Sequence, residues 1–205
     1  MSTHRPFRFA AGEVIAPTKQ SWTDLARKVE ATGFDVFTIA DHLARNLAPI
    51  PALLAVAMST TILRIGSEVL SNDFRHPVLL ANEVATLDML SDGRVEFGIG
   101  AGWWKREYDA AGMVFDVPGV RVDRMIEAVA IMKRLWSGDE VHHAGTYYTI
   151  SGLVDPVRPV QRPHPPILVG GGGKRLLSFA AREADIVGLL AKANTHGALD
   201  LGGDE

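Results

Sequence analysis

The chain contains no cysteine among its 205 residues, which excludes a disulfide framework, a thiolate nucleophile and any cysteine-bound zinc or iron–sulfur cluster. Histidine and the carboxylates are the only strong metal ligands left, and a reducing compartment suits such a chain. It also lacks an excess of charge. Its 21 basic and 24 acidic residues give a net charge of −3, so no broad positive field draws it to nucleic acid or anionic lipid. Long apolar runs are missing too: the longest, Ala52 to Met58, is far short of the roughly 18 residues that span a membrane. The polar, basic stretch Met1 to Phe9 has no apolar centre of the kind a secretory signal carries. These absences predict a cytosolic protein with no nucleic-acid or membrane partner. What is present, 47% hydrophobic and 22% charged residues, is the balance of a globular domain.

Amphipathic helices and short apolar strands alternate along the sequence. Gln20 to Thr32 sets Trp22, Leu25, Ala26 and Val29 on one helical face, opens with Ser21 and Asp24 at capping-box spacing, and meets Gly33 where a helix should stop. The β-branched and aromatic run Phe34 to Ala40 follows as a strand and ends in the polar pair Asp41-His42. A second cycle takes a helix over Pro51 to Thr60 into a strand over Ile62 to Leu70, closed by Ser71-Asn72-Asp73. In the third, Pro77 opens a helix with Leu80, Val84, Leu87 and Met89 apolar, Ser91-Asp92-Gly93 turns the chain, and a strand from Arg94 to Ile99 delivers Gly98-Ile99-Gly100-Ala101-Gly102. Val122, Met125, Ile126, Val129, Met132 and Trp136 mark a fourth helix, and Val141 to Ile150 reads as a hairpin around Ala144-Gly145. Ile167-Leu168-Val169 then runs into four glycines, followed by a helix over Arg175 to Glu183 and a strand over Ile186 to Leu190.

With a first strand at Phe7 to Gly12, this order predicts a parallel sheet with right-handed crossovers, either open and doubly wound or closed into a barrel. Polar or glycine-rich segments follow several successive strands. A TIM-type (β/α)8 barrel gathers its active-site loops in that way, whereas an open sheet concentrates ligand contacts at one switch point. Six strand units are present where a closed barrel has eight, so the expectation is an incomplete barrel over residues 1–190, truncated at its C-terminal side, with a Gly/Asp-rich tail over 191–205.

Four motifs bear on chemistry. Gly98 to Gly102 follows a strand, but Trp103 stands where a dinucleotide fingerprint needs its third glycine. The segment is then either a tight turn or a place where a flat ring or phosphate nears the backbone. Gly170-Gly171-Gly172-Gly173-Lys174 leaves a strand for a helix and suits a phosphate, though Arg175 excludes a Walker loop. Asp41-His42 at a strand's C-terminal end suits proton exchange and ring binding, against the plain alternative of a capping Asp and a surface His. His142 and His143, being adjacent on a strand, point to opposite faces and make poor joint metal ligands; no metal is expected.

Asp41-His42, Arg75-His76-Pro77-Val78, the run from Asn82 to Arg94, Gly98 to Trp103 and Pro166 to Gly173 together resemble the luciferase-like monooxygenase superfamily. The match is to its deazaflavin branch, which uses coenzyme F420, and it extends over roughly residues 7 to 190. The resemblance implies a barrel with the deazaflavin, or FMN as the alternative, at its C-terminal mouth. It implies Asp41 near the ring, His42 as the acid/base, and a non-proline cis peptide in a bulge at Leu70, Ser71 and Asn72 that presses on the ring. Gly100, Ala101 and Gly102 would line the cofactor, and Gly170, Gly171, Gly172 and Gly173 would hold its phosphate.

Sugar-phosphate dehydrogenases of that superfamily carry a Glu directly after the position of Gly102, whereas this chain has Trp103 and Trp104. A glucose 6-phosphate activity is therefore not expected. Trp103, Trp104 and Glu107 are instead candidates for the wall of a substrate pocket, against packing under the barrel rim. The reading that results is an oxidoreductase moving a hydride between F420 and a small organic substrate, associating as a homodimer. An FMN-dependent monooxygenase and a non-catalytic flavin carrier or gene fragment are the alternatives.

Overall fold

Two ladders of apolar side chains decide the architecture, one on each strand's outer face and one along each helix. The structure is a computed structural model that describes residues 7–12, 16, 18–44 and 47–190. In chain order the elements begin with β1 (Ala10–Ala11), α1 (Lys19–Ala31), β2 (Val36–Ile39), α2 (Pro49–Ser59), β3 (Arg64–Ser67), β4 (Leu70–Ser71), α3 (Pro77–Leu90) and β5 (Val95–Gly100). They continue with α4 (Lys105–Ala111), α5 (Pro118–Ser137), the hairpin strands β6 (Val141–Ala144) and β7 (Thr149–Leu153), then β8 (Ile167–Gly171), α6 (Lys174–Glu183) and β9 (Ile186–Leu189). The tail expected over 191–205, and the start of the chain through residue 6, lie outside the described residues.

The main sheet is parallel throughout, in the order β1-β2-β3-β5-β8-β9, with β4 pairing with the last residues of β5. Six strands joined through helices, with β1 and β9 at the edges, form the curled part of a barrel that the sequence predicts. Residues two apart share a face, so β5 turns Val95, Phe97 and Ile99 toward the helices and Glu96, Gly98 and Gly100 inward. Phe97 meets Trp136 of α5 edge to face at 5.5 Å, and Trp136 Nε1 donates to Ala81 O of α3 at 3.0 Å. Trp22 of α1 likewise stacks edge-on with Phe37 at 5.2 Å and donates to Ala52 O of α2 at 3.0 Å. Each indole thus buries its body and satisfies its one donor by tying two helices together. On the inner face near the strand N-termini, Glu96 Oε1 holds Arg8 at 2.5 Å and Arg64 at 2.6 Å, so the buried carboxylate is paired from two sides.

Several local expectations are corrected. Thr18, rather than Ser21, caps α1: its hydroxyl accepts the Ser21 N–H at 3.1 Å while Ser21 Oγ accepts the Thr18 N–H at 3.1 Å. The strand predicted over Ile62 to Leu70 is broken into β3 and β4 by a cis peptide between Glu68 and Val69. The non-proline cis bond expected at Leu70 to Asn72 therefore stands two residues earlier. Met89 is 48% exposed while Leu87, Asp88 and Ser91 are buried, because two positions along a helix carry a side chain to the opposite face. Helix α4 has no counterpart in the sequence reading, since seven residues with Glu107 and Tyr108 as the buried pair show no apolar period.

Candidate active site

The C-terminal ends of the parallel strands converge on a cavity of about 940 Å³, lined from β2 and its end by Thr38, Ala40, Asp41 and His42, from the β3–β4 break by Glu68 and Val69, and from β5 by Gly100 and the loop to Trp104. The segment Gly170 to Arg175 after β8 supplies the opposite wall. That volume lies within the range of pockets for cofactors and drug-sized ligands.

His42 leaves β2 and turns its ring against α4. Its Nδ1 stands 3.0 Å from Glu107 Oε2, and Glu107 Oε1 accepts the Leu43 N–H at 3.0 Å. Glu107 is buried, with both oxygens engaged, whereas the His42 side chain keeps 25% of its surface exposed at the cavity. A carboxylate can only accept, so this pairing assigns the Nδ1 proton and leaves Nε2 as the imidazole's second site. Trp103 and Trp104 stack in parallel at 5.9 Å and both meet the His42 ring edge to face, at 6.0 and 5.4 Å. All four residues expected at this point, His42, Trp103, Trp104 and Glu107, are brought together. Glu107 lines the cavity and also holds the His42 ring.

Asp41 is placed beside them, but its carboxylate is already committed. Arg75 binds it through both terminal nitrogens, at 2.5 and 3.1 Å, and the Ser71 N–H donates to Oδ2 at 3.0 Å. The ion pair ties the end of β2 to β4. Ser71 borders the cavity, while Leu70 is packed in the core and buried Asn72 donates to the Tyr148 hydroxyl at 3.2 Å. Of the three residues expected to press on a ring, Leu70 and Asn72 therefore do not line the cavity, and Val69 does.

Gly100 of β5 and Gly170 of β8 line the cavity, and packing also requires them to be glycine. A Cβ on Gly100 would stand 2.6 Å from Val69 Cγ2, and one on Gly170 would stand 2.8 Å from Val69 Cγ1. Both glycines make room for Val69. At Gly102, φ is +74° and a Cβ would fall 1.9 Å from the Tyr108 hydroxyl, so helix α4 packs directly on the loop from Ala101 to Trp104. Gly170 and Gly171 are still part of β8; Gly172 follows, and Gly173 begins α6 with no side chain capping the helix's first N–H groups. Nothing lies within 4 Å of a Cβ built on Gly173.

Residues the sequence reading passed over hold this loop. Tyr108 Oη lies 3.2 Å from Ser71 Oγ and donates to Asp73 at 3.3 Å, and Arg124 binds Asp73 at 3.0 Å as well as Asp116. Arg121 donates to the carbonyls of Ala101, Gly102 and Asp116 and lies 3.8 Å over the Phe115 ring. Burial pushes the Tyr108 phenol and the Asp73 carboxyl up from their ordinary values, the latter against the pull of Arg124. Burial also draws the Arg121 guanidinium down, despite Tyr108 and Asp73 nearby. The usable signal was the basic pair Arg121 and Arg124 inside the apolar period of α5, opposite an acid-bearing loop.

His142 and His143 point apart, as expected: His142 Nε2 meets Glu140 at 2.9 Å and His143 Nε2 meets Glu127 at 2.9 Å. Among the described residues, no three His, Asp or Glu side chains are grouped so as to hold a metal ion.

Comparison with known proteins bears on this geometry. The family model described as luciferase-like monooxygenase matches residues 3–199. An F420-dependent glucose-6-phosphate dehydrogenase of Microbacterium testaceum is 33% identical over 191 residues, covering 88% of this chain and 55% of that protein. The F420-dependent tetrahydromethanopterin reductase of Methanopyrus kandleri superposes with a TM-score of 0.81 at 24% identity, over 90% of this chain and 56% of the other. A monooxygenase of Streptomyces bottropensis superposes with a TM-score of 0.74 at 27% identity, over 86% and 57%. The chain spans about half the length of the relatives it matches.

Proposed function

Because the chain belongs to the luciferase-like monooxygenase family, we propose that it carries the site of an oxidoreductase that moves a hydride between coenzyme F420 and a small organic substrate, with His42 exchanging the accompanying proton. The observation that carries this reading is His42 at the mouth of the 940 Å³ cavity, its Nδ1 held by buried Glu107 at 3.0 Å. The 33% identity with an F420-dependent dehydrogenase supports the choice of cofactor.

The residues present fit such a group. The cavity has the volume for a ring and its side chain, Gly173 opens on free space, and the uncapped N–H groups of α6 beside Lys174 suit a phosphate. Gly170 to Lys174 would hold the phosphate, and Val69, Gly100 and Ala101 would meet the ring. When bound, the deazaflavin supplies the hydride chemistry. Asp41, through Arg75 and Ser71, fixes the backbone on which Val69 stands. Glu107 fixes the His42 ring, and His42 Nε2 gives a proton to the substrate oxygen or takes one from it. The stacked indoles of Trp103 and Trp104 shield that transfer from water.

The same reading takes residues 1–190 as one barrel unit with a tail over 191–205, in a cytosolic homodimer. A chain without cysteine needs no oxidising compartment, no helix among the described residues is long and apolar enough to cross a membrane, and edge strand β9, whose Leu189 lines the cavity, leaves Val187 43% exposed for a second copy to cover. Light scattering tests the dimer. The function is tested by titrating the chain with F420 and with FMN, following fluorescence. Tight binding of F420 and loss of turnover in His42→Ala are expected. Preference for FMN moves the reading to a monooxygenase, and binding of neither overturns it in favour of a non-catalytic chain.

A further inference from the structure

The substrate class can be read from where the cavity's charges are already committed. Among the described residues, four cationic side chains line it: Lys105, Arg121, Lys174 and Arg175. Lys105 Nζ lies 2.6 Å from both carboxylate oxygens of Asp109, and Arg175 is paired with Asp123. Arg121 spends its guanidinium on the carbonyls of Ala101, Gly102 and Asp116 and on the face of Phe115. Lys174 stands in the first turn of α6, beside the glycines. The surroundings of His42 are of another kind. Two half-buried indoles meet its ring edge-on, and among the described residues the charged group in contact with it is the carboxylate of Glu107.

Among the described residues, a phosphate dianion placed beside His42 would face Glu107 and meet no cation in contact with the ring, so its desolvation would go uncompensated. A flat apolar molecule there would instead cover the indole faces, which bury large area with little loss of side-chain freedom. Resting on the reading of this cavity as an oxidoreductase site, we propose that its substrate is an uncharged, flat, mostly apolar molecule with one carbonyl or hydroxyl oxygen for His42, bound against Trp103 and Trp104. The site on this chain thereby differs in substrate class from the sugar-phosphate dehydrogenase to which it is 33% identical.

The test is calorimetric titration of the full chain with acetophenone and, separately, glucose 6-phosphate, each without and with F420. Saturable binding of acetophenone, weakened roughly tenfold or more in Trp104→Ala, and no saturable heat from glucose 6-phosphate are expected. Saturable binding of the sugar phosphate overturns the proposal, as do an unchanged acetophenone affinity in Trp104→Ala and a failure of both molecules to bind. Trp104→Leu, which keeps an apolar side chain but removes the flat ring face, serves if the alanine variant does not fold. Failure of the cofactor reading shows separately, as an absence of F420 binding, while the acetophenone arm without F420 still answers the question of substrate class.

Discussion

His42 Nδ1 and Glu107 Oε2 face each other at 3.0 Å, and the other Glu107 oxygen holds the Leu43 N–H at the same distance. One buried carboxylate thereby fixes both the ring and the backbone that carries it. Loss of a hydrogen bond to a charged group is worth about 1.5–3 kcal/mol, so Glu107→Ala lowers kcat roughly ten- to hundredfold. His42→Ala removes the proton carrier and lowers it about 10²- to 10⁴-fold. The two losses do not add: if Glu107 acts through His42, the double variant turns over like His42→Ala alone. Steady-state kinetics of the four proteins check this, and nitrogen NMR of the imidazole checks that the Nδ1–H form is lost in Glu107→Ala. Additive losses would separate the two residues.

The bidentate pair between Arg75 and Asp41 joins elements 34 residues apart, with the Asp41 side chain only 3% exposed. Removing one partner strands the other charge in a place water barely reaches. Arg75→Met therefore destabilises the fold by roughly 3 kcal/mol, measured by urea denaturation, and weakens cofactor binding because Asp41, which anchors Ser71, loses its counter-ion. Replacing both partners, as in Asp41→Asn with Arg75→Met, restores part of the stability, since no unpaired charge remains.

These two pairs also show how far the sequence could be read. The order of strands and helices was legible because burial repeats at fixed spacing, as in Trp22, Ala26 and Val29 of α1 or Met125, Val129, Met132 and Trp136 of α5. His42 was legible for its place after an apolar strand. Val69 was not. In a strand, a shift of one residue exchanges the two faces, and Val69 lines the cavity from the two-residue gap between β3 and β4. Nothing local announces it. The partners Arg75 of Asp41 and Tyr108 of Ser71 come from other elements, so they follow from packing and not from any local period.

Acid should loosen the hairpin. Glu127 of α5 accepts from His143 Nε2 and from the N–H groups of Thr146, Tyr147 and Tyr148. Partial burial opposes its ionisation, but the His143 bond and those amides outweigh it and hold the carboxyl below the ordinary glutamate value of 4.5. A lowered folded value gives stability that is present above the unfolded value and lost as pH falls through the folded one. Asp73, raised by burial, acts in the opposite sense and offsets part of the change. Glu127→Gln is accordingly less stable than the parent at pH 7, and the gap closes as pH falls below about 4. Thermal melts of both proteins from pH 7 to pH 3 measure it; a gap that stays constant would mean the carboxylate's charge is not what secures the hairpin.

Val69 makes the last expectation a matter of volume. It lies against both Gly100 and Gly170, leaving 2.6 and 2.8 Å to the positions their Cβ atoms would take. Gly100→Ala forces the Val69 side chain to move, and overpacking of this kind costs about 1–3 kcal/mol. In a Val69→Ala background the same methyl enters vacated space, so the second substitution costs less than the first predicts, with a coupling of about 1 kcal/mol or more between the sites. Denaturant unfolding of the parent, both single variants and the double variant gives that coupling directly. If Gly100 were kept small for a ligand and not for Val69, the two losses would simply add in the absence of cofactor, and only the binding of F420 would suffer.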